Sequence, residues 1–331
     1  LKHVGLDEEI INASQILEQV SIKNQKGKIL TATDAAVVAK KYGVPGNFTI
    51  HRADLHQILF QQLKPGTVVT GKQCIHVHQY RNEVTLQFAD GVTQQAHAAI
   101  ACDGIHSPIR RQLILTSTPR YAGYTCWRAV VYNPDMHFHY RETSETWGPG
   151  KRFGIVPLTN NRIYWFACIN APAQSLKMKN YSLADLQREF QDFHEPVGML
   201  LKHTDPQELI WGDIMDIKPI NQFAFGNIVL MGDAAHATTP NMGQGACMAL
   251  EDAAILASCI EAHQETSSAF QAFEQKRITR TTKIVTGSYT LGKLAQLENP
   301  LLSSIRDLVL QVTPASVAAQ QIKFLYDISF G

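Results

Sequence analysis

Most of the residues able to do chemistry in this chain fall in a few short runs. The first, Met231–Ala253, reads MGDAAHATTPNMGQGACMALEDA. An apolar stretch, NIVLMG, reads as a strand that delivers Gly232 and Asp233 at its carboxyl end, where open α/β sheets bind ligands. Gly232 lets a ligand approach the backbone closely, and the Asp233 carboxylate can accept hydrogen bonds from sugar-like hydroxyls. Pro240 to Gly245 then form a loop opening a helix kept slim by Ala246, Ala249, Ala253 and Ala254. The unpaired N–H groups and positive dipole end at such a helix start favour negative charge. The plain alternative is a strand–turn–helix with a Gly-rich connection.

The second run, IACDGIHSPIRRQL, spans residues 100–113 and ends another apolar strand at Asp103-Gly104. Ser107 suits an N-cap, and Pro108 suits the first helical position, where its missing N–H costs nothing. Arg110 then falls in the first turn, where a cation opposes the helix dipole. An anionic group nearby would explain it; so would a solvated side chain. Arg52, in HRADLHQIL, also opens a helix. It either pairs with Asp54 or solvent, or reaches a phosphate or ring carbonyl.

Between these runs the pattern changes period. Residues 14–32 alternate as strands around a Lys26-Gly27 turn, and RADLHQILFQQL has helical spacing up to Pro65-Gly66. A meander follows through CIHVHQY, EVTLQFA, the Asp90-Gly91 turn and HAAIAC. YTCWRAVVY, RFGIVPL and RIYWFACI read as antiparallel strands, Leu183–Leu201 as one helix, and ELIWGDIM as a further strand. NIVLMG reads as a strand buried on both faces of a parallel sheet. From about Gly245 the chain is mostly helical, broken near Pro300 and Pro314. The expected fold class is α/β: a Rossmann-like nucleotide-binding domain interrupted by a mostly antiparallel β-sheet domain, with C-terminal helices. The first is expected over residues 1–13, 50–118 and 222–331, and the β-rich one over 14–49 and 119–221.

Arg152 in KRF and Tyr164 in IYWF sit on consecutive strands of that middle sheet, where they could hold an anionic or carbonyl-bearing ring. Trp127 and Trp165 read as sheet-packing aromatics. His76 and His78, and His137 and His139, each share one side of a strand. No nearby Cys, Asp or Glu completes a coordination shell, so no metal is expected.

Composition narrows the classes. With 331 residues the chain can build one large core or two ordinary ones. Thirty Lys and Arg against 29 Asp and Glu, without basic clusters, argue against a nucleic-acid partner. No apolar run reaches a membrane span of roughly 18 residues, and no signal peptide leads the chain. The six cysteines lack C-x-x-C spacing, which fits reduced, buried thiols in a cytoplasmic protein.

Taken together, the order of these motifs resembles the FAD-dependent aromatic hydroxylases, the para-hydroxybenzoate hydroxylase-like flavin monooxygenases. Arg52 opens a helix, then come strand–Asp-Gly–x–x–Ser–x–x–Arg and strand–Gly-Asp-Ala-Ala-His with Pro and Gly-x-Gly downstream. The likeness looks closest to the branch of salicylate hydroxylase, zeaxanthin epoxidase and FAD-dependent urate hydroxylase, with GYTCWRAVV, GPGKRFGIVPL, RIYWFACINAP and DIKP in support. The resemblance implies FAD and NAD(P)H as cofactors and O₂ as co-substrate, with oxygen passing from a flavin C4a-hydroperoxide to an electron-rich small ring. It implies that Gly232 and Asp233 hold the ribityl or ribose hydroxyls, and that Gly243, Gln244 and Gly245 flank the pyrimidine edge of the flavin. It further implies that Pro240 lines the oxygen face and Arg52 contacts FAD. Asp103, Gly104 and Arg110 would belong to a motif tied to both FAD and NAD(P)H. Arg152 and Tyr164 match the purine-binding position of a urate-type enzyme, and His236 is expected to anchor its turn.

The family's Gly-x-Gly-x-x-Gly unit, which grips the FAD pyrophosphate, is not found here; Gly148-Pro149-Gly150 and Gly243-Gln244-Gly245 do not supply it. In relatives it would come just before LKHVGL. The expectation is therefore a truncated form of a longer enzyme, with exposed apolar sheet edges and poor FAD affinity. A non-catalytic fragment or binding module is the alternative reading.

Overall fold

The computed structural model describes residues 4–43, 46–132, 141–314 and 324–325. The chain divides into two compact units: Leu1–Thr67, Gly123–Asp213 and Ala295–Ile328 form one, and Val68–Ala122, Ile214–Leu294 and Ser329–Gly331 the other.

The first unit is built on a seven-stranded sheet, ordered Ile210–Ile217, Pro119–Tyr132, Arg162–Asn170, Lys151–Leu158, Glu142–Gly148, Gln19–Asn24 and Ile29–Asp34. All the pairings described within it are antiparallel except Glu142–Gly148 with Gln19–Asn24. Strand alternation sorts the side chains cleanly. Trp127, Phe153, Ile155, Ile163 and Trp165 face one way and pack on Leu186, Phe190, Leu200 and Leu201. Phe153 stacks on Trp165 at 5.2 Å, and the Trp165 indole N–H donates to Thr204 Oγ1 at 2.9 Å. Each such aromatic contributes about 1.5–3 kcal/mol by leaving water. The tryptophans are therefore core residues. The opposite face carries Cys126, Arg128, Arg152, Tyr164, Phe166 and Cys168.

The helices beneath this sheet correct one expectation. The span 183–201 is two helices, Leu183–Glu189 and Val197–His203. Pro196 stands just before the second and lacks the N–H a continuous helix would need.

The second unit holds the meander Cys74–Tyr80, Glu83–Phe88 and Thr93–Ala96. Beside it is a three-stranded sheet ordered Ala224–Phe225, Ile228–Leu230 and Ala99–Ala101. Ile228–Leu230 runs parallel to Ala99–Ala101 and is buried throughout. Its other neighbour, Ala224–Phe225, is antiparallel, so this sheet is mixed. Ala99–Ala101 is an edge strand, and Ile100 on it is 46% exposed. The helices Gly245–Ala262 and Thr266–Ala295 follow; Ile255, Leu256, Phe270 and Phe273 pack against Val229 and Leu230.

Among the described residues, no helix is long and apolar enough to cross a membrane. Nor does any group of three His, Cys, Asp or Glu stand ready for a metal. His137 and His139 lie outside the described residues. All six cysteines are free, but only Cys126, Cys168 and Cys259 are buried; Cys74 is half-buried, and Cys102 and Cys247 are exposed although an alanine precedes each.

Candidate functional site

Of the cofactor and substrate candidates named above, nine fall in the second unit and three in the first. In the second, Ile228–Leu230 and Ala99–Ala101 run side by side and parallel, so both strands leave the sheet at the same carboxyl end. One leads to Gly232-Asp233 and the other to Asp103-Gly104.

Gly232 has φ +58° and ψ −141°, a conformation side-chain-bearing residues rarely adopt, and it opens the short helix Asp233–His236. A methyl group there would meet only the Ala249 methyl, at 3.7 Å. The small helix residues thus do what their pattern suggested: they let the following helix lie close to this turn. The Asp233 carboxylate is exposed, and among the described residues no side chain or N–H engages it.

Pro240–Met242 is a single 3₁₀ turn closed by Gly243 in the left-handed conformation at φ +64°. It is pinned from below. Thr239 Oγ1 and Ser288 Oγ lie 2.9 Å apart, Ser288 Oγ donates to the Thr239 carbonyl at 2.6 Å, and Asn241 Nδ2 donates to the Ser288 carbonyl at 2.8 Å. The helix Gly245–Ala262 starts straight after, with Gln244 at the N-cap, no side-chain cap and no acid in its first turn. Its 18 residues end in free N–H groups at Gly245 and its neighbours. Gly243, Ala246 and Cys247 are exposed beside them.

The second loop follows its sequence reading at the cap. Ser107 Oγ accepts the Arg110 N–H at 2.8 Å, Pro108 is the first helical residue, and Asp103 Oδ2 lies 3.4 Å from the Ile109 N–H. The surprise is the Arg110 side chain. It is fully buried and its guanidinium donates to the carbonyl oxygens of Gly104, Ile105, Asp233 and Ala234. Burial pulls its pKa below the ordinary arginine value, against the pull of Asp103. Arg110 therefore ties the Asp103-Gly104 loop to the Gly232-Asp233 turn; the helix it belongs to is only six residues long, so Arg110 also falls in its last turn and the expected conflict with the dipole does not arise.

A second clamp went unnoticed in the sequence. Asp252, with no exposed surface, accepts the Gly232 N–H at 2.9 Å and bonds His236 Nε2 at 2.6 Å through the same oxygen. Its other oxygen takes the Arg277 Nε–H at 2.7 Å, while Glu251 holds both Arg277 and Arg280 at 2.8 Å. Burial alone would raise the Asp252 pKa. The His236 hydrogen bond, the charges of His236 and Arg277 and the Gly232 N–H hold it below the carboxylate range instead. His236 thus anchors the turn, as expected. The available signal was the pair Glu251-Asp252 on the same helix face as Met248, Ile255 and Cys259, where acids are out of place unless paired.

In the first unit, Arg52 opens the helix Arg52–Gln61 and is exposed. Asp54 does not neutralise it; that carboxylate pairs with Arg162 at 2.5 Å, and the Arg162 hydrogen bond lowers its pKa. On the polar sheet face, Arg152 is 1% exposed, bonded to Glu145 Oε2 at 3.3 Å and Tyr124 Oη at 3.2 Å. Burial is the largest single influence and opposes its charge, but the combined attraction of Glu145, Cys168, Tyr124 and Cys126 exceeds it and raises the pKa. Tyr164 is half-buried, and burial pushes its phenol up to about 12.

The chemistry of these second-unit residues fits the sugar-like hydroxyls and the flavin ring of FAD. Added methyl groups at Gly104 and Gly243 would touch nothing within 4 Å, so both loops present open backbone to a ligand. A free carboxylate suits ribityl or ribose hydroxyls, and uncapped N–H groups suit the electron-rich edge of a reduced flavin.

Comparison with known proteins agrees. The family model described as FAD binding domain matches residues 1–288. Aurachin C monooxygenase/isomerase of Stigmatella aurantiaca is 34% identical over 311 residues, covering 93% of this chain and 80% of its own. FAD-dependent urate hydroxylase of Klebsiella pneumoniae is 28% identical over 314 residues, with 93% and 82% covered. The crystal structure of Klebsiella pneumoniae HpxO with FAD and uric acid superposes with a TM-score of 0.89 at 25% identity, over 98% of this chain and 84% of that one. The α/β FAD-binding fold with an added sheet and C-terminal helices is thus the fold observed.

Proposed function

Since the chain belongs to the FAD-binding-domain family of aromatic hydroxylases, we propose that it is a monooxygenase that uses FAD and NAD(P)H to insert one atom of O₂ into a small aromatic or heteroaromatic ring. The monooxygenase reading is preferred to that of a non-catalytic module because relatives matched along nearly the whole chain are named as monooxygenases and hydroxylases.

The observation that carries the proposal is the Gly232–Gly245 segment: a free acid after a positive-φ glycine, then a left-handed Gly243 opening an uncapped helix. FAD, when bound, supplies the two-electron chemistry with O₂. The protein's part is placement and charge. Asp233 holds ribityl or ribose hydroxyls. The N–H groups near Gly243, Gln244 and Gly245 stabilise negative charge at the pyrimidine edge, and Pro240 borders the oxygen face. Arg52 contacts the cofactor with a charge no acid of its own helix cancels. Asp103 and Gly104 form the second cofactor loop, with Arg110 setting its distance from Asp233.

Residues 1–13, 50–118 and 222–331 make up the cofactor region in this reading, and 14–49 and 119–221 the substrate region. Arg152 and Tyr164 orient the ring: a charge that stays on, and a phenol that stays protonated. The urate hydroxylase likeness favours a heteroaromatic ring bearing carbonyls. A cytoplasmic location accords with six free cysteines.

The test is direct. Purified protein with added FAD is given NADH or NADPH and a panel of urate, salicylate, hydroxybenzoates, kynurenine-like compounds and polycyclic phenols. Hydroxylated product is then quantified against NAD(P)H and O₂ consumed. Flavin binding with product from one panel member supports the reading; a protein that takes up no FAD ends it.

A further inference from the structure

Two of the six cysteines face each other. Cys126 and Cys168 occupy directly opposed positions on the adjacent antiparallel strands Pro119–Tyr132 and Arg162–Asn170. Opposed residues of such a pair have Cα atoms about 4.5–5.5 Å apart, inside the roughly 4.4–6.8 Å span a disulfide bridges without moving the backbone. Cys126 is 3% exposed and Cys168 1%, so neither is shielded from the other by solvent. They lie on the polar face of the sheet. Arg152 is the cross-strand neighbour of Cys168 on the other side, and Arg128 is two residues along from Cys126. An apolar face is where buried thiols normally sit; this pair sits in a row with cations.

We propose that Cys126 and Cys168 form a dithiol site that hydrogen peroxide converts reversibly to a cross-strand disulfide in the folded protein. The Cys126 thiolate attacks one peroxide oxygen, the O–O bond breaks, and hydroxide leaves a sulfenic acid on Cys126. The Cys168 sulfur, losing its proton, attacks the Cys126 sulfur and expels the second oxygen as water. Two thiols and one peroxide thus become one disulfide and two waters. Each sulfur loses one electron, and the peroxide gains two.

The order of attack follows from the surroundings. The hydrogen bond from Cys168, with the charges of Arg128 and Arg152, draws the Cys126 pKa below the ordinary thiol value despite its burial. Burial, and the hydrogen bond it gives to Cys126, hold Cys168 above it. Desolvation by the surrounding protein also raises Cys74, Cys259 and even Cys102 and Cys247, whose own surfaces are exposed. Cys126, whose S–H also lies 3.4 Å from the Trp127 carbonyl, is therefore the one of the six whose pKa is drawn down, and Cys168 stands directly opposite it on the next strand.

The test exposes the folded protein to a few equivalents of hydrogen peroxide, alkylates it after denaturation, and digests it without reductant for mass spectrometry. The expected result is a linked peptide pair joining residues 126 and 168, lighter by two hydrogens than the two free peptides. Both sites should lose alkylation together and regain it with dithiothreitol, at doses that leave the exposed Cys102 and Cys247 alkylated. In Cys168→Ser the reaction should stop at a sulfenic acid on Cys126, trapped by dimedone. Should both cysteines stay alkylated at doses that oxidise Cys102 and Cys247, or become oxidised singly without a link, the proposal is overturned. The linked peptide in the unmutated chain decides the matter even where the variant does not fold.

Discussion

Asp252 Oδ2 lies 2.6 Å from His236 Nε2, both side chains buried, directly under the turn that presents Asp233. The same oxygen holds the Gly232 N–H, and Arg277 closes the group from the next helix. A backbone conformation as unfavourable as that of Gly232 persists only where its surroundings over-determine it. Here that support is ionic, with the carboxylate shared between the turn and a buried arginine.

Removing the Asp252 charge should therefore cost stability. Asp252→Asn keeps the shape but leaves Arg277 with one carboxylate, Glu251, beside the Met248 carbonyl. We expect a loss of about 3 kcal/mol in urea unfolding, the low end for a broken buried ion pair. The pH dependence has a definite sign. Because the folded pKa lies below 3.8, the stabilisation is fully present above that value and disappears as pH falls through the lower folded pKa. The variant should lack this part of the acid limb; an identical acid limb in both proteins would refute the assignment.

Asp233 should behave in the opposite way. Its carboxylate is exposed and unengaged, so Asp233→Ala should change stability by less than about 0.5 kcal/mol. FAD affinity should fall by about one to two powers of ten, as expected from losing about 1.5–3 kcal/mol of charge-assisted hydrogen bonding. Titration followed by flavin absorbance reads this; unchanged affinity would remove Asp233 from the site.

Gly154 has no room for a side chain. A Cβ there would stand 2.1 Å from two Phe166 ring atoms, within the sheet centre. Gly154→Ala should cost about 1–3 kcal/mol by overpacking and push Phe166 out of its rotamer. Gly243→Ala meets nothing within 4 Å and pays only for its positive φ, about 1 kcal/mol. Thermal melts of the two variants should rank in that order.

Tyr164 should remain protonated throughout the neutral range. Burial lifts its phenol from 10.0 to about 12, so its share of stability is intact below pH about 10 and is lost between there and about 12. Difference spectra of the unmutated chain and Tyr164→Phe should therefore show one tyrosinate fewer only at the alkaline end. A difference appearing at or below pH about 10 would contradict the burial assigned to it.

The local parts of this protein were legible in its residues. Strand alternation sorted the sheet faces, Ser107 and Pro108 marked a helix start, and small residues after Gly245 announced close packing. Each is set by backbone geometry over a few positions, where periods of two and 3.6 leave a visible trace. Partner choice left no such trace. Asp54 sits two residues from Arg52 yet pairs with Arg162; Arg110 looked like a charge awaiting an anion and instead holds four carbonyls. Asp252 reaches back to Gly232 and forward to Arg277. Such pairings depend on which distant segments packing brings within about 3 Å, and a short-range attraction cannot be read from residues that only the folded chain makes neighbours.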